Sequence, residues 1–300
     1  MRLGVPRQDR RPDASELGGH EAEGSSAAGA RIDAQVVALP CMRMSYRLLC
    51  LDAGFTLLTP RQSLAEAITD ALSDDGRTIT DDEMRAVWEE GDRWWWDEYH
   101  RPGNDTWTDD ARIDEYWRRY HGYVLGRLGV EARSEVLDRL LASQFHADAW
   151  QTYPDVEPML RAVRSMGIRI GIVSDWGSNL REIMAGLDLD RYLDFVLPSG
   201  AVGMAKPNPE FFRMALEKAG VVASDAVMVG DSYRADVRGA WGAGMDALWL
   251  DRTEGITITP DDEPQPTDVR VIRSLDEVPD LVRAGGPLPR GDVADLASAS

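Results

Sequence analysis

The sequence predicts an α/β protein: a Rossmann-like parallel sheet with helices on its faces, interrupted early by an all-helical insertion. Short apolar runs carry the first part of this reading. Leu48-Leu49-Cys50-Leu51, Ile170-Gly171-Ile172-Val173 and Ala226-Val227-Met228-Val229 stop at Asp52, Ser174 and Gly230-Asp231, as buried parallel strands stop at a sheet edge. Between the first run and the second, residues 61–150 carry apolar side chains at three- and four-residue intervals and read as helices throughout.

The first strand is expected over 47–52 and others near 169–173, 194–197, 226–229 and 246–250, joined by right-handed connections. Helices are expected over 63–71, 82–99, 109–127 and 134–145, broken at Asp74-Asp75-Gly76 and Pro102-Gly103-Asn104. The core then comprises residues 46–60 and 151–284, and the insertion, 61–150, stands over the sheet edge where it could close and exclude water. Residues 1–45, rich in Gly, Arg, Asp and Glu with few large apolar side chains, cannot bury enough surface to order themselves. Met42 and Met44, directly before the first strand, read as alternative translation starts, and residues 285–300 as a loose tail.

A buried strand ending in Asp52 places a carboxylate at the carboxyl edge of the sheet, the side on which open α/β sheets bind ligands. Alone, such an aspartate also serves as a turn former or helix cap. Ser174 has two readings, a donor to a phosphate oxygen or the cap of the helix entered at Asn179 and Leu180. Asp231 follows the third strand and can face the same edge as Asp52, and paired carboxylates with a backbone carbonyl suit Mg²⁺. Among 33 basic residues lysine stands only at 206 and 218. A sequence that otherwise uses arginine has kept a compact ammonium at Lys206, suited to a point contact between a carboxylate and a phosphate.

Asp52-Ala-Gly-Phe-Thr56, Ser174, Lys206-Pro207 and Gly230-Asp231-Ser232…Asp236 occur in the order of the four motifs of the haloacid dehalogenase (HAD) superfamily, and residues 46–285 resemble its branch with a helical cap after the first motif. The resemblance implies the HAD fold and a hydrolase of small phosphate esters. Asp52 would be the nucleophile that forms an aspartyl-phosphate, with Thr56, Ser174 and Lys206 as further catalytic residues. It also implies Mg²⁺ held by Asp52, the Gly54 carbonyl and Asp231, with Asp236 in or beside that ligand set.

The chain departs from the family at Gly54, where phosphatases carry a second aspartate that protonates the leaving oxygen and then activates water, help worth about 10²–10⁴-fold. Three readings follow: a phosphohydrolase whose proton shuttle is Asp175 or a cap residue, an enzyme that cleaves another bond, or a regulatory protein that binds phosphorylated ligands without turnover. Residues 61–150 contain no lysine, against a resemblance to phosphonoacetaldehyde hydrolases. Asp231 and Asp236 argue against a dehalogenase, which replaces the aspartate by tyrosine and has no need of metal carboxylates. Asp175 has its own bland reading, as the start of the helix with Asn179.

The insertion is rich in aromatics. Trp88, Trp95 and Tyr99 share a helix face by spacing and are expected to form its core. Trp94 and Trp96 point apart at about 100° per residue, so one of them is expected to line the cleft or a subunit contact. His100 and His121 are expected on solvated helix surfaces, and His20 and His146 complete the set. A net charge of −19 argues against a nucleic-acid partner, no run is long enough to span a membrane, and Cys41 and Cys50 give no disulfide framework, which fits a reducing cytoplasm. The pattern carries no signal for an oligomer.

Overall fold

The computed structural model describes residues 46–99, 101–252 and 269–290. The expectations for residues 1–45, including His20 and Cys41, and for His100 and 291–300 fall outside them. β1 (Leu48–Leu51) leads into β2 (Leu58–Pro60), and then come α1 (Leu64–Ala71), α2 (Asp81–Tyr99), α3 (Asp110–Arg127) and α4 (Ser134–Phe145). β3 (Trp150–Thr152) returns antiparallel to β2, pairing Trp150 with Pro60, so a two-stranded stem closes the insertion. The chain continues through α5 (Val156–Ser165), β4 (Arg169–Ser174), α6 (Leu180–Gly186), β5 (Phe195–Pro198), α7 (Ser199–Val202), α8 (Pro209–Ala219) and β6 (Ala226–Gly230). A π-helical turn (Tyr233–Arg238), α9 (Gly239–Gly242), β7 (Asp246–Leu250), β8 (Arg270–Ile272) and α10 (Val278–Ala284) complete it.

The sheet runs β5-β4-β1-β6-β7-β8, every pair parallel. Chain order reverses at β1, which makes its carboxyl end the crevice where such sheets take ligands. Leu51 pairs with Ile172 on one side and Val229 on the other, which brings Asp52, Ser174 and Asp231 to one edge. Alternate residues serve opposite faces. Leu49 and Leu51 pack with α5, α6 and α10 through Leu160, Ile183 and Val278, while Leu48 and Cys50 pack with α8 and α9 through Phe211, Phe212 and Trp241. Burial on both faces is why the strands read as continuous apolar runs. α8 shows how local sequence sets a boundary: Asn208 caps the Glu210 amide, Pro209 opens the first turn, and Gly220 ends the helix at φ 62°.

The insertion has its own core of Ile68, Leu72, Met84, Val87, Val124 and Leu125. Here the aromatic expectations change. The buried stripe of α2 runs Met84, Val87, Gly91 and then Trp94 and Trp95, so Trp88 falls beside it and is 46% exposed. Trp94 belongs to the interior, 5.7 Å from Tyr116 and 5.9 Å from Tyr120 and Tyr123, with the Arg119 guanidinium over its ring. His121 is buried, not solvated. Its Nε2 lies 2.9 Å from Gln144, and burial lowers it to about 4, which holds the ring neutral.

The tail also differs from expectation through residue 290. Asp246, buried at the amino edge of β7, accepts from Tyr46 Oη at 2.6 Å, Arg290 Nε at 2.8 Å and the Leu288 amide at 3.3 Å. A buried carboxylate needs this many donors, and the tail supplies two of them. Replacing Asp246 with alanine leaves those donors unpaired and is expected to cost about 3 kcal/mol by urea unfolding; a change below about 0.5 kcal/mol would show the tail contributes nothing.

Candidate active site

Asp52 follows β1 directly and is nearly sealed from solvent, its amide donating to the Val229 carbonyl at 3.0 Å. Its Oδ1 accepts from Ser174 Oγ at 2.9 Å and from Lys206 Nζ at 2.6 Å. Lys206 Nζ also donates to Asp236 Oδ1 at 2.7 Å, so the ammonium bridges two carboxylates from opposite ends of the chain. Burial alone would lower this lysine, but Asp236 and Asp52 outweigh it and hold it charged.

Asp236 reaches the cluster because the π-helical turn widens the backbone after β6. Its Oδ2 accepts the Ser232 amide at 3.0 Å. A Cβ on Gly230 would sit 2.1 Å from Asp236 Oδ2, so only glycine lets that carboxylate tuck beneath the strand end. Asp231 accepts from Thr56 Oγ1 at 3.2 Å, and its carbonyl accepts from Trp249 Nε1 at 2.8 Å. Thr56, fully buried, therefore orients Asp231. Carboxylate oxygens of Asp52, Asp231 and Asp236 lie within 4.8 Å of one another. Burial, then the charge of Asp52, pushes Asp231 up; burial also pushes Asp236 up, with Lys206 opposing it. Three crowded carboxyls with one ammonium form a set whose repulsion a hard divalent cation would offset, and oxygen ligands are what Mg²⁺ prefers.

The structure brings together all the predicted side chains: Asp52, Thr56, Ser174, Lys206, Asp231 and Asp236. Of the two readings of Ser174 the site role holds, since it bonds the Asp52 carboxylate and does not cap the helix entered at Asn179. Asp175 departs from its helix-start reading. In place of starting that helix, its Oδ1 accepts the Lys206 amide at 2.9 Å and its Oδ2 accepts Tyr99 Oη at 3.0 Å. Burial raises Asp175 to about 6, against the opposing charge of Lys206. Tyr99, the last residue of α2, stacks on Trp95 at 4.9 Å and meets Trp107 edge-on at 5.8 Å.

Three neighbours carried no signal in the sequence pattern. Trp176 lies over Gly54, its ring 3.3 Å from where a Cβ would stand, and its amide is anchored by Ser199 Oγ at 3.0 Å. Phe55 takes a left-handed φ of 53° with its ring exposed, an outlier for a bulky residue. Asp110 Oδ1, from the first turn of α3, accepts the Ser178 amide at 2.8 Å, a second tie between insertion and core.

A family model described as haloacid dehalogenase-like hydrolase matches residues 46–244. The chain is 28% identical over 250 residues to mouse haloacid dehalogenase-like hydrolase domain-containing protein 3, covering 82% of this chain and 98% of that one. It is 38% identical over 136 residues to a phosphoserine phosphatase of Thermus thermophilus, covering 44% and 53%. Among solved structures, the Bacillus subtilis HAD hydrolase YfnB bound to magnesium superposes with a TM-score of 0.61 at 22% identity, over 78% of this chain and 97% of that one.

The sign of the Asp175 shift gives a test. Its carboxyl is raised on folding, so the stability it contributes is complete below about 4 and lost as pH rises through about 6. Asparagine mimics the neutral form. Asp175→Asn is expected to gain thermal stability relative to the parent between pH 4 and pH 8, both in EDTA; a difference that stays flat or falls would contradict the shift.

Proposed function

The chain belongs to the haloacid dehalogenase-like hydrolase family as a phosphatase-like enzyme, and we propose that it hydrolyses a small phosphate ester with Mg²⁺, using Asp52 as nucleophile. One observation carries the reading: Asp52, Ser174, Lys206, Asp231 and Asp236 converge at the carboxyl end of β1. Asp52, Asp231, Asp236 and the Gly54 carbonyl would hold the metal, which when bound offsets the charge of phosphate meeting carboxylate. The carbonyl at 54 survives any side chain.

Each residue then has a task. Ser174 and Lys206, both on Asp52 Oδ1, fix the nucleophile's rotation before substrate enters. Asp52 forms the O–P bond as the ester bond breaks, and Lys206 meets the oxygens on which charge accumulates. Thr56 and Trp249 hold Asp231 from its side chain and its carbonyl. Asp231 and Asp236 favour phosphorus over halide, because carbon–halogen displacement has no use for a ring of metal carboxylates. Among the described residues no helix is long and apolar enough to cross a membrane, and Cys50, a buried free thiol pushed up to about 12, suits a reducing cytoplasm.

Phosphate release from p-nitrophenyl phosphate should require Mg²⁺ and fall about 10³-fold or more in Asp52→Asn. Mg²⁺ at a hundred times its Kd should also stabilise the fold by about 2.7 kcal/mol, an effect lost in Asp231→Asn. Equal release by Asp52→Asn would remove the nucleophile assignment. Stabilisation and Asp52-dependent phosphate binding without turnover would make the chain a phosphate-ligand binding protein.

A further inference from the structure

The proposed reaction moves a proton twice. The departing ester oxygen must gain one, and the water that cleaves the aspartyl-phosphate must lose one. Position 54 offers no side chain, and the space beside it is taken by the Trp176 ring. Near Asp52, Ser174 and Lys206 are committed to its Oδ1, while Asp231 and Asp236 belong to the metal set. Among the described residues a further titratable pair stands against this cluster, the Tyr99 hydroxyl and the Asp175 carboxyl, 3.0 Å apart.

Its placement is defined on both sides. Asp175 follows Ser174, and the Lys206 amide that it accepts belongs to the residue whose ammonium bonds Asp52. The Tyr99 ring is clamped between Trp95 and Trp107, so its hydroxyl is delivered to the edge of the core by a packed aromatic cluster that also touches Ala205, the residue before Lys206. Asp110 already ties the insertion to the Ser178 amide, so a tether alone does not require a phenol paired with a part-buried acid.

We propose that Tyr99 and Asp175 together carry the proton that position 54 cannot, with Tyr99 as the catalytic residue and Asp175 acting through it. The inference rests on the phosphatase reading above. In the first step the Asp52 O–P bond forms, and the ester P–O bond breaks with its electron pair left on the departing oxygen. With Asp175 protonated, the bond between the pair runs from the carboxyl to the phenol oxygen, and the Tyr99 O–H protonates the departing oxygen as Tyr99 takes the proton of Asp175. In the second step water attacks phosphorus and the Asp52 O–P bond breaks. Water's proton passes to Tyr99 and from Tyr99 to Asp175, which restores the starting state. Burial holds Tyr99 well above the ordinary phenol range, so it relays a proton without remaining a phenolate, and Asp175 at about 6 can be the donor and the acceptor near neutrality.

The experiment uses the full chain with Mg²⁺ and two substrates of nearly one shape, phenyl phosphate and p-nitrophenyl phosphate. The phenolate leaving group needs a proton and the nitrophenolate needs it far less. Tyr99→Phe, which keeps the ring stacked on Trp95, and Asp175→Asn are expected to lose roughly tenfold or more additional first-turnover rate on phenyl phosphate than on p-nitrophenyl phosphate. With the latter, nitrophenol should appear as a burst near one equivalent, with phosphate trapped on the protein. Asp110→Ala, which cuts another tie between insertion and core and moves no proton, should affect both substrates by one factor without trapping. Equal losses on both substrates in Tyr99→Phe, or no loss, would overturn the proposal while leaving the phosphatase reading intact. No Asp52-dependent turnover by the parent would overturn both.

Discussion

The site depends on a single ammonium. Lys206 Nζ sits between Asp52 and Asp236 at 2.6 and 2.7 Å, almost wholly buried, and it is the one lysine of the chain placed among carboxylates. Taking several carboxyls out of water is costly, and unpaired they would repel one another or protonate. A compact cation that contacts two of them at once makes the arrangement tolerable and still leaves oxygens for a metal. A guanidinium is planar and larger, and its fork would ask for a flat pair of oxygens where this cluster offers two carboxylates from different loops.

Much of the surrounding structure can be traced to that requirement. Glycine at 230 and the widened turn after β6 bring Asp236 beneath the strand end, Ser174 holds Asp52 from the neighbouring strand, and Asp175 takes the Lys206 amide, which aims the side chain. The contact with Tyr99 then extends the network from the sheet into the insertion. Closure of the insertion and arrangement of the charges are thus joined through one carboxyl, whose protonation is felt on both sides. Trp95 and Trp107 make the tyrosine's position a matter of packing, so the aromatic wealth of the insertion bears on the site through one hydroxyl.

The fold was legible where burial was complete. Leu48–Leu51 and Ala226–Gly230 are sealed on both faces, so their pattern is a plain apolar run, and the helices of the insertion announced themselves by their three- and four-residue apolar spacing. The stem strands β2 and β3 were not legible, being three residues each and part polar, and neither was β8, whose Arg270 is exposed. Asp52, Ser174 and Asp231 were legible because each closes a strand, Lys206 because lysine is rare in the chain, and Thr56 and Asp236 through the order of the motifs. Their partners were not: Asp175 and Tyr99 are 76 residues apart, and spacing along one element says nothing about a contact between two. The same limit explains Trp88 and His121, whose surroundings are set by which neighbouring helix covers them.

Position 54 is where local sequence and tertiary structure meet most directly. Read alone, a glycine there is a lost carboxylate. In the fold it is also room for an indole: Trp176 approaches within 3.3 Å of the missing Cβ, packs against Trp150 at 4.8 Å, and is held by Ser199. A side chain restored at 54 would have to displace this ring by a few tenths of an ångström against that packing, so the loss and the filling are one structural state. An apolar ring beside the nucleophile also lowers the local dielectric, which strengthens the hydrogen bonds of Ser174 and Lys206 to Asp52 and raises the cost of any unpaired charge nearby. Proton transfer in such a site must come from groups that are neutral for part of the cycle, and a part-buried carboxyl paired with a phenol meets that condition.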